Sequence, residues 1–483
     1  MIEIDDISFI YNDRKIFSNL SLKMYKNENT LILGDNGCGK TTLCNLIAGI
    51  LVPETGNIKI DGVDIGEWRR RKIPKVGILF QNPDNQFIRY KVVDEIILTY
   101  KYITKEREYF KSVDNVINAF ELKNISDRLI NTLSGGEKQK LALACVMAYE
   151  PEFLILDEPF AHLDPLNELS IRDIIRKLSD KITVIEVSQK SNIIDDFNRV
   201  IYIENQIISF DGDVGTFKKS ILFHKRINTI KNKLQSKYKY TPETCLDSEI
   251  LSESKNICRR NKIEIENLSF SYGREEKTLD NINLSVKEGE SLGVIGPNSS
   301  GKSTLMDIIA DILKPDEGAI NKNLNDFAYI FQFPERNIFC ETVFDEIAFW
   351  GKNINAEDIE FKVKKIMALV GLDYDKFAYR NPFLLSYGEK RKVSIASSLA
   401  LSPDLILLDE PDVSLSKFSK RSICNTLLKL KKAGKIILII SHDIEFLYPI
   451  VDKVVVINKG KIECYGTLTE CECKLDKYGY KYE

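Results

Sequence analysis

Two octapeptides of one pattern constrain this chain more than any other feature. Gly34-Asp35-Asn36-Gly37-Cys38-Gly39-Lys40-Thr41 follows the apolar run Leu31 to Leu33 and precedes the helix-like run Leu43 to Ile50. Gly296-Pro297-Asn298-Ser299-Ser300-Gly301-Lys302-Ser303 likewise lies between an apolar run, Leu292 to Ile295, and a helix-like one. Both fit G-x-x-x-x-G-K-[ST] in a strand, loop, helix context. In such a loop successive backbone N–H groups converge on phosphate oxygens, the glycines clear the approach, and the helix N-terminus adds partial positive charge. Lys40 and Lys302 then reach the β/γ-phosphates, and Thr41 and Ser303 offer a hydroxyl to Mg2+, with Thr42 and Thr304 next in line. A lone octapeptide can be only a loop; two in matching contexts point to two nucleotide sites.

The pair belongs to an internal repeat. "IEIDDISFIY" (Ile2 to Tyr11) returns as "IEIENLSFSY" (Ile263 to Tyr272), an offset of 272 − 11 = 261, and the loop lysines are offset by 302 − 40 = 262. Later landmarks lie closer: Ser134 and Ser386 by 386 − 134 = 252, and Asp157 and Asp409 by 409 − 157 = 252, so the second copy is shorter after its phosphate loop. Each copy opens with apolar and polar residues in alternation, then shows buried strands bounded by turn signals and helical segments. The fold class expected is α/β with an added antiparallel β layer in each copy. Residues 225–262 are polar, contain Thr241-Pro242 and carry a basic excess, which predicts a linker with some helix. Residues 469–483 are short, charged and aromatic, and are assigned no structure.

At 483 residues, 43% hydrophobic and 29% charged, the chain has room for two or three domains with cores of their own. A net charge of -3 leaves no global basic footprint, so no nucleic-acid partner is expected. No run approaches the roughly 20 apolar residues of a membrane span, and the start has neither the basic nor the apolar segment of a signal peptide. The expectation is a cytoplasmic protein. Its ten cysteines are scattered, which predicts reduced thiols rather than disulfides. Cys464, Cys471 and Cys473 could hold a soft metal, with tail thiols the plainer reading.

Further motifs follow each loop. Gln81 ends the apolar run in "FQNPDNQF" and Gln332 the one in "FQFPERNIF"; a glutamine carbonyl there suits Mg2+ or the attacking water. "LSGGE" (Ser134, Gly135, Gly136, Glu137) precedes an apolar helix, and a serine and glycines at a helix N-terminus make a second anion cradle. "FLILDEP" and "LILLDEP" end buried strands on Asp157-Glu158 and Asp409-Glu410. The aspartates suit the Mg2+ water shell, and the glutamates suit a general base acting on water.

In this order, and twice, these motifs resemble a tandem ATP-binding cassette (ABC) ATPase. The resemblance implies two P-loop NTPase domains (1–224 and 263–468), each with an antiparallel β layer and a helical signature subdomain, binding ATP and Mg2+. It implies that Tyr11 and Tyr272 stack on adenine and that the cassettes pair head to tail within the chain, each signature completing the opposite site. "FQNPDNQF" with "VVDEI", and "FQFPERNIF" with "TVFDEIAF", are similar to the two ATPases of energy-coupling factor (ECF) transporters, here fused. The partners implied are a transmembrane coupling subunit and a small membrane substrate-binding subunit, with the chain peripheral on the inner face of the cell membrane. The segments after Gln81 and Gln332 would dock the coupling subunit. The solute, a vitamin or transition-metal ion, belongs to another subunit.

Under that pairing the two sites are unequal. Site one joins Lys40, Gln81, Asp157 and Glu158 to the second signature "LSYGE" (Ser386, Tyr387, Gly388), where Tyr387 replaces a glycine. Gln189 stands where the other copy has His442, and Ser416 where it has Asp164. Site two joins Lys302, Ser303, Gln332, Asp409, Glu410 and His442 to the intact "LSGGE" and Asp164, so hydrolysis is expected there and slow turnover or none at site one. Two other functions share this chemistry. A tandem cassette acting on ribosomes draws on "HLD" and the basic residues Lys225, Arg226, Lys231, Lys233, Lys237 and Lys239; the ATPase of a sugar importer lacks these glutamine-loop sequences.

Overall fold

The strands Phe153–Asp157 and Leu405–Asp409 are apolar along nearly their whole length, a pattern stable only in a parallel sheet covered on both faces. The computed structural model describes residues 1–11, 14–35, 37–71, 75–101, 110–161, 163–179, 181–188, 193–220, 223, 262–273, 277–324, 326–353 and 358–480. Residues 225–261 of the expected linker lie outside them, and Lys262 opens a strand. The described residues form two compact units, drawn from Met1–Leu163 with Asn167–Thr241, and from Asp164–Leu166 with Pro242–Glu483.

In the first unit a six-stranded sheet runs Ile207–Asp213, Arg199–Glu204, Thr30–Gly34, Thr183–Ser188, Phe153–Asp157, Val76–Leu79, with only the Ile207–Asp213 edge antiparallel. The phosphate-loop strand Thr30–Gly34 sits inside this sheet, so its carboxyl end opens where ligands bind in α/β folds. The expected β layer is present as Ile2–Tyr11 paired with Arg14–Met24 and Thr55–Ile60. Asp6 has φ 51, and this irregularity lets Ile2 and Ile4 before it and Ile7 and Phe9 after it all face the core. The second copy repeats the device at Asn267, φ 49, between Ile265 and Leu268.

The second unit repeats the plan. Its sheet runs Phe327–Ile330, Leu405–Asp409, Ile436–Ile440, Ser291–Ile295, Lys453–Asn458, Lys461–Gly466. A helical layer packs beyond each main sheet: Val92–Lys101, Val113–Ala119 and Gly135–Met147 in the first unit, Val343–Asn353, Ile359–Val370 and Tyr387–Leu399 in the second. The α/β class, the β layers and the helical subdomains thus stand as expected. Among the described residues no helix is long and apolar enough to cross a membrane.

The segment after 468 differs from its expectation. It carries a helix, Glu472–Lys477, whose Leu475 is buried, and it continues to buried Tyr478 and Tyr480. Cys464, on the edge strand, and Cys471, just before this helix, form a disulfide, which corrects the expectation of reduced thiols for that pair. The sequence reading missed it because it gave the tail no fold, while the fold brings the two Cα atoms to 5.8 Å, within disulfide range. Among the described residues no group of three metal-ligating side chains gathers there.

One charged pair is buried in the first unit. Arg172 meets Glu186 through two hydrogen bonds of 3.1 and 3.0 Å, and Glu168 is a second carboxylate partner. Opposing carboxylates hold the guanidinium pKa up against the burial that would lower it. Arg172→Met leaves Glu186 buried and short of its main partner, so a loss of about 3–5 kcal/mol is expected, largely recovered when Glu186→Leu is added. Urea midpoints of the three proteins check it.

Candidate functional site

Each phosphate loop turns into its helix through a glycine that no other residue could replace. Gly39 has φ 103 and Gly301 φ 102, and a Cβ would come within 2.6 Å of the Phe17 ring in one copy and 2.7 Å of the Leu279 side chain in the other. The lysines that follow are buried under their own loops. Lys40 donates to the carbonyls of Gly34 and Asp35, both at 3.0 Å; Lys302 donates to those of Gly296 at 2.9 Å and Pro297 at 2.7 Å. Burial pushes the Lys302 pKa down, opposed by Glu410 and Asp409 among the charges around it. Gly37, Cys38 and Thr42 complete the described part of the first loop, and Ser299, Ser300 and Thr304 lie in the second; Asn36 lies outside the described residues. Burial pushes the Cys38 thiol up, in keeping with a packed filler.

Across from each loop a strand end presents its two carboxylates. Thr41 Oγ1 donates to Asp157 Oδ1 at 3.2 Å and Ser303 Oγ to Asp409 Oδ2 at 3.0 Å. Both aspartates are pushed up to about 6, by burial first, with the neighbouring glutamate adding to it. Hydroxyl and carboxylate oxygens with room for phosphate and water are a hard, oxygen-only donor set, the kind Mg2+ takes. Glu158 and Glu410 have φ 47 and φ 46, a left-handed backbone in which each glutamate N–H bonds the next strand, to Val187 and Ile440. The same left-handed backbone therefore sets the carboxylate at the strand end in both copies.

In the second unit three predicted residues meet. Gln332 Nε2 donates to Glu410 Oε2 at 2.7 Å, and His442 Nε2 lies 3.3 Å from Glu410 Oε1 without the alignment of a hydrogen bond. In the first unit Lys40 stands 3.8 Å from Glu158. Gln81 follows the strand Val76–Leu79, and Gln189, at the switch position, lies outside the described residues. Tyr11 and Tyr272 leave 58% and 67% of their surface exposed, enough to offer a ring face; Tyr272 also meets the Thr304 hydroxyl at 3.3 Å.

The signature serines cap helices. Ser134 and Glu137 exchange side-chain to backbone bonds at the start of Gly135–Met147, and Ser386 and Glu389 do so before Tyr387–Leu399. Gly136 is packed so closely that a Cβ would strike Asn167, and at Gly388 it would strike Ser419.

The ABC transporter family matches residues 17–161 and 279–413, once in each unit. A Methanosarcina mazei protein named as an ABC transporter ATP-binding protein is 30% identical over 96% of this chain and 88% of its own length. The chain belongs to the ABC transporter ATPase family. A Bacillus subtilis protein named as an HMP/thiamine import ATP-binding protein is 29% identical over 95% of this chain and 90% of its own length. Among solved structures, an archaeal ribosome recycling factor in complex with a ribosomal stalk protein has a TM-score of 0.66 at 24% identity, covering 98% of this chain and 92% of that one. The RNase-L inhibitor has a TM-score of 0.64 at 23% identity, covering 98% and 93%. These two likenesses show the tandem-cassette fold.

The cassettes also use residues that the motifs did not mark. Gln86 and Asn337 each reach back along the chain, accepting from the backbone N–H six residues earlier, Phe80 or Phe331, and donating to the carbonyl eight residues earlier, Ile78 or Tyr329. They pin the glutamine loops. Buried Glu95 accepts from the N–H groups of Ile88 and Arg89, and buried Glu346 from those of Phe339 and Cys340. That is a physical reason for the glutamate in "VVDEI" and "VFDEI". In the second cassette Arg391, fully buried, donates to the Phe331 carbonyl at 2.6 Å and to that of Gln332, while the Tyr387 hydroxyl reaches the same Gln332 carbonyl at 3.3 Å. Its counterpart Gln139 makes one bond, to the Phe80 carbonyl at 3.3 Å. The repeat offset, 391 − 139 = 252, pairs these positions, but neither residue type announces a backbone clamp.

Arg391→Ala is expected to strip two half-buried carbonyls of their charged donor and raise hydrogen exchange around Phe331 by about tenfold or more, whereas Arg391→Gln, the residue of the first cassette, recovers part of the protection. Exchange mass spectrometry on peptides spanning 327–340 reads the difference.

Proposed function

We propose that this chain energises an ECF-type importer of a vitamin or transition-metal ion, working on the cytoplasmic face of the membrane with a transmembrane coupling subunit and a small substrate-binding membrane subunit. One observation carries the reading. On the segments fixed by Glu95 and Glu346, Ile88 and Tyr90 are 75% and 87% exposed and Phe339 is 58% exposed. A rigidly held backbone that displays large apolar side chains suits the helices of a membrane partner. The likeness to a protein named for HMP/thiamine import supports the substrate class.

In the proposed mechanism the cassettes close head to tail around two ATP molecules, each signature facing the opposite phosphate loop. Lys302 exchanges its bonds to the Gly296 and Pro297 carbonyls for phosphate oxygens, and Lys40 does the same with its own loop. Gly34, Asp35, Gly37, Cys38 and Gly39, with Gly296, Asn298, Ser299, Ser300 and Gly301, direct backbone N–H groups at the phosphates, while Pro297 offers only its carbonyl. Thr41, Gln81 and Asp157, and likewise Ser303, Gln332 and Asp409, would hold Mg2+, which when bound offsets the charge on the β- and γ-phosphates. At site two Gln332 orients the Glu410 carboxylate, which takes a proton as water attacks the γ-phosphorus and the bond to the ADP oxygen breaks. His442 contacts the γ-phosphate. Site one keeps Glu158 but has Gln189, Tyr387 and Ser416 at three positions, and it binds ATP with little turnover.

Glu410→Gln is expected to lower ATP turnover by about a hundredfold or more, while Glu158→Gln leaves most of it. Equal losses contradict the asymmetry. Detergent extraction of the tagged chain is expected to bring membrane subunits with it; co-sedimentation with ribosomes instead would favour the translational reading.

A further inference from the structure

The tail after residue 468 ends inside the second cassette's site. Tyr480 is 2% exposed, and its hydroxyl donates to the Gly296 carbonyl at 2.8 Å and lies 2.7 Å from His442 Nδ1. The two rings are stacked, with centroids 5.9 Å apart and planes 5° from parallel. The helix Glu472–Lys477 delivers this side chain. Buried Leu475 anchors it, the Tyr480 N–H bonds the Leu475 carbonyl at 3.0 Å, and the Tyr478 hydroxyl bonds Glu463 at 2.7 Å. None of these contacts reaches a residue outside the second unit.

A proton count decides what this arrangement does. A carbonyl oxygen only accepts, so the single hydroxyl proton of Tyr480 goes to Gly296. Burial pushes the Tyr480 pKa well up, which keeps that proton in place. The phenolic oxygen can then meet His442 only as an acceptor, so Nδ1 must carry a proton. In the neutral ring Nε2 is left with a lone pair. This accounts for a further observation: Nε2 is buried, stands 3.3 Å from a Glu410 oxygen and makes no hydrogen bond, as expected of two acceptors facing each other.

We propose that Tyr480 is a positioning residue for ATP hydrolysis: its hydroxyl locks His442 in the Nδ1–H tautomer and aims Nε2 at the reacting side of Glu410. Nε2 then donates toward phosphate only as part of a cationic ring, a role that glutamine cannot fill. The same hydroxyl has a second consequence at the loop. The Gly296 carbonyl takes bonds from both Lys302 and Tyr480, so when Lys302 turns to phosphate Tyr480 keeps that buried carbonyl satisfied.

The inference rests on the reading of His442 as the switch of site two, and its test separates the two. The chain has three histidines, so 15N-histidine NMR of the full, nucleotide-free protein gives three ring systems, with His442→Gln assigning the one of interest. The expected spectrum has His442 protonated at Nδ1. Tyr480→Phe keeps the ring but removes the acceptor; the expected result is a shift toward the Nε2–H tautomer, with kcat falling at least about tenfold and KM for ATP nearly unchanged. Tyr478→Phe, in the same tail, is expected to change neither. An Nε2–H tautomer in the unaltered protein overturns the proposal, as does Tyr480→Phe with unchanged shifts or with unchanged kcat. If Glu410→Gln leaves turnover intact, the reading of site two fails while the tautomer result stands.

Discussion

Two ammonium groups buried beneath their own loops set the terms for each half of this chain. A buried charge is tolerated only where fixed dipoles or opposite charges face it. Here the dipoles are loop carbonyls, two for each lysine, held by a backbone that turns through glycines at φ near 100°. The rest of each unit serves that geometry. The parallel sheet brings an acidic strand end opposite the loop, and the antiparallel layer places Phe17 or Leu279 against the glycine that starts the helix. Such a site is poised for an anion, because phosphate oxygens can replace the carbonyls without moving the lysine far.

The copies share this frame but spend it differently. In the second cassette Gln332, Glu410 and His442 converge, Arg391 clamps the glutamine loop from behind, and a tail tyrosine closes the ring of contacts back onto the phosphate loop. In the first cassette a single glutamine, Gln139, stands in the place of that arginine. Tyr387, which the sequence presents only as a departure from the signature, also supports the glutamine loop of its own cassette.

Much of this was legible in the residues because the motifs are backbone requirements. A loop that needs left-handed glycines, a strand apolar on both faces and a carboxylate pair at its end leave few alternatives, and the two copies confirm each other. What escaped has a common cause. Gln86, Asn337 and Arg391 bond to backbone atoms, and any polar side chain in a loop or helix looks alike until the path of the chain is known. The tail escaped for another reason: Glu472 to Tyr480 is too short to show a period, so Tyr480 read as a loose aromatic and the Cys464–Cys471 pair as separate thiols. Asn36 and Gln189 lie outside the described residues, so their part in the account stays with the sequence.

The central claim is that one of two bound nucleotides is cleaved and the other retained. Loading the chain with ATP and Mg2+ together with its membrane partners, quenching after a single turnover and counting nucleotides per chain tests it most directly. The account requires one ADP formed and one ATP kept per chain. Two ADP appearing at equal rates would contradict it.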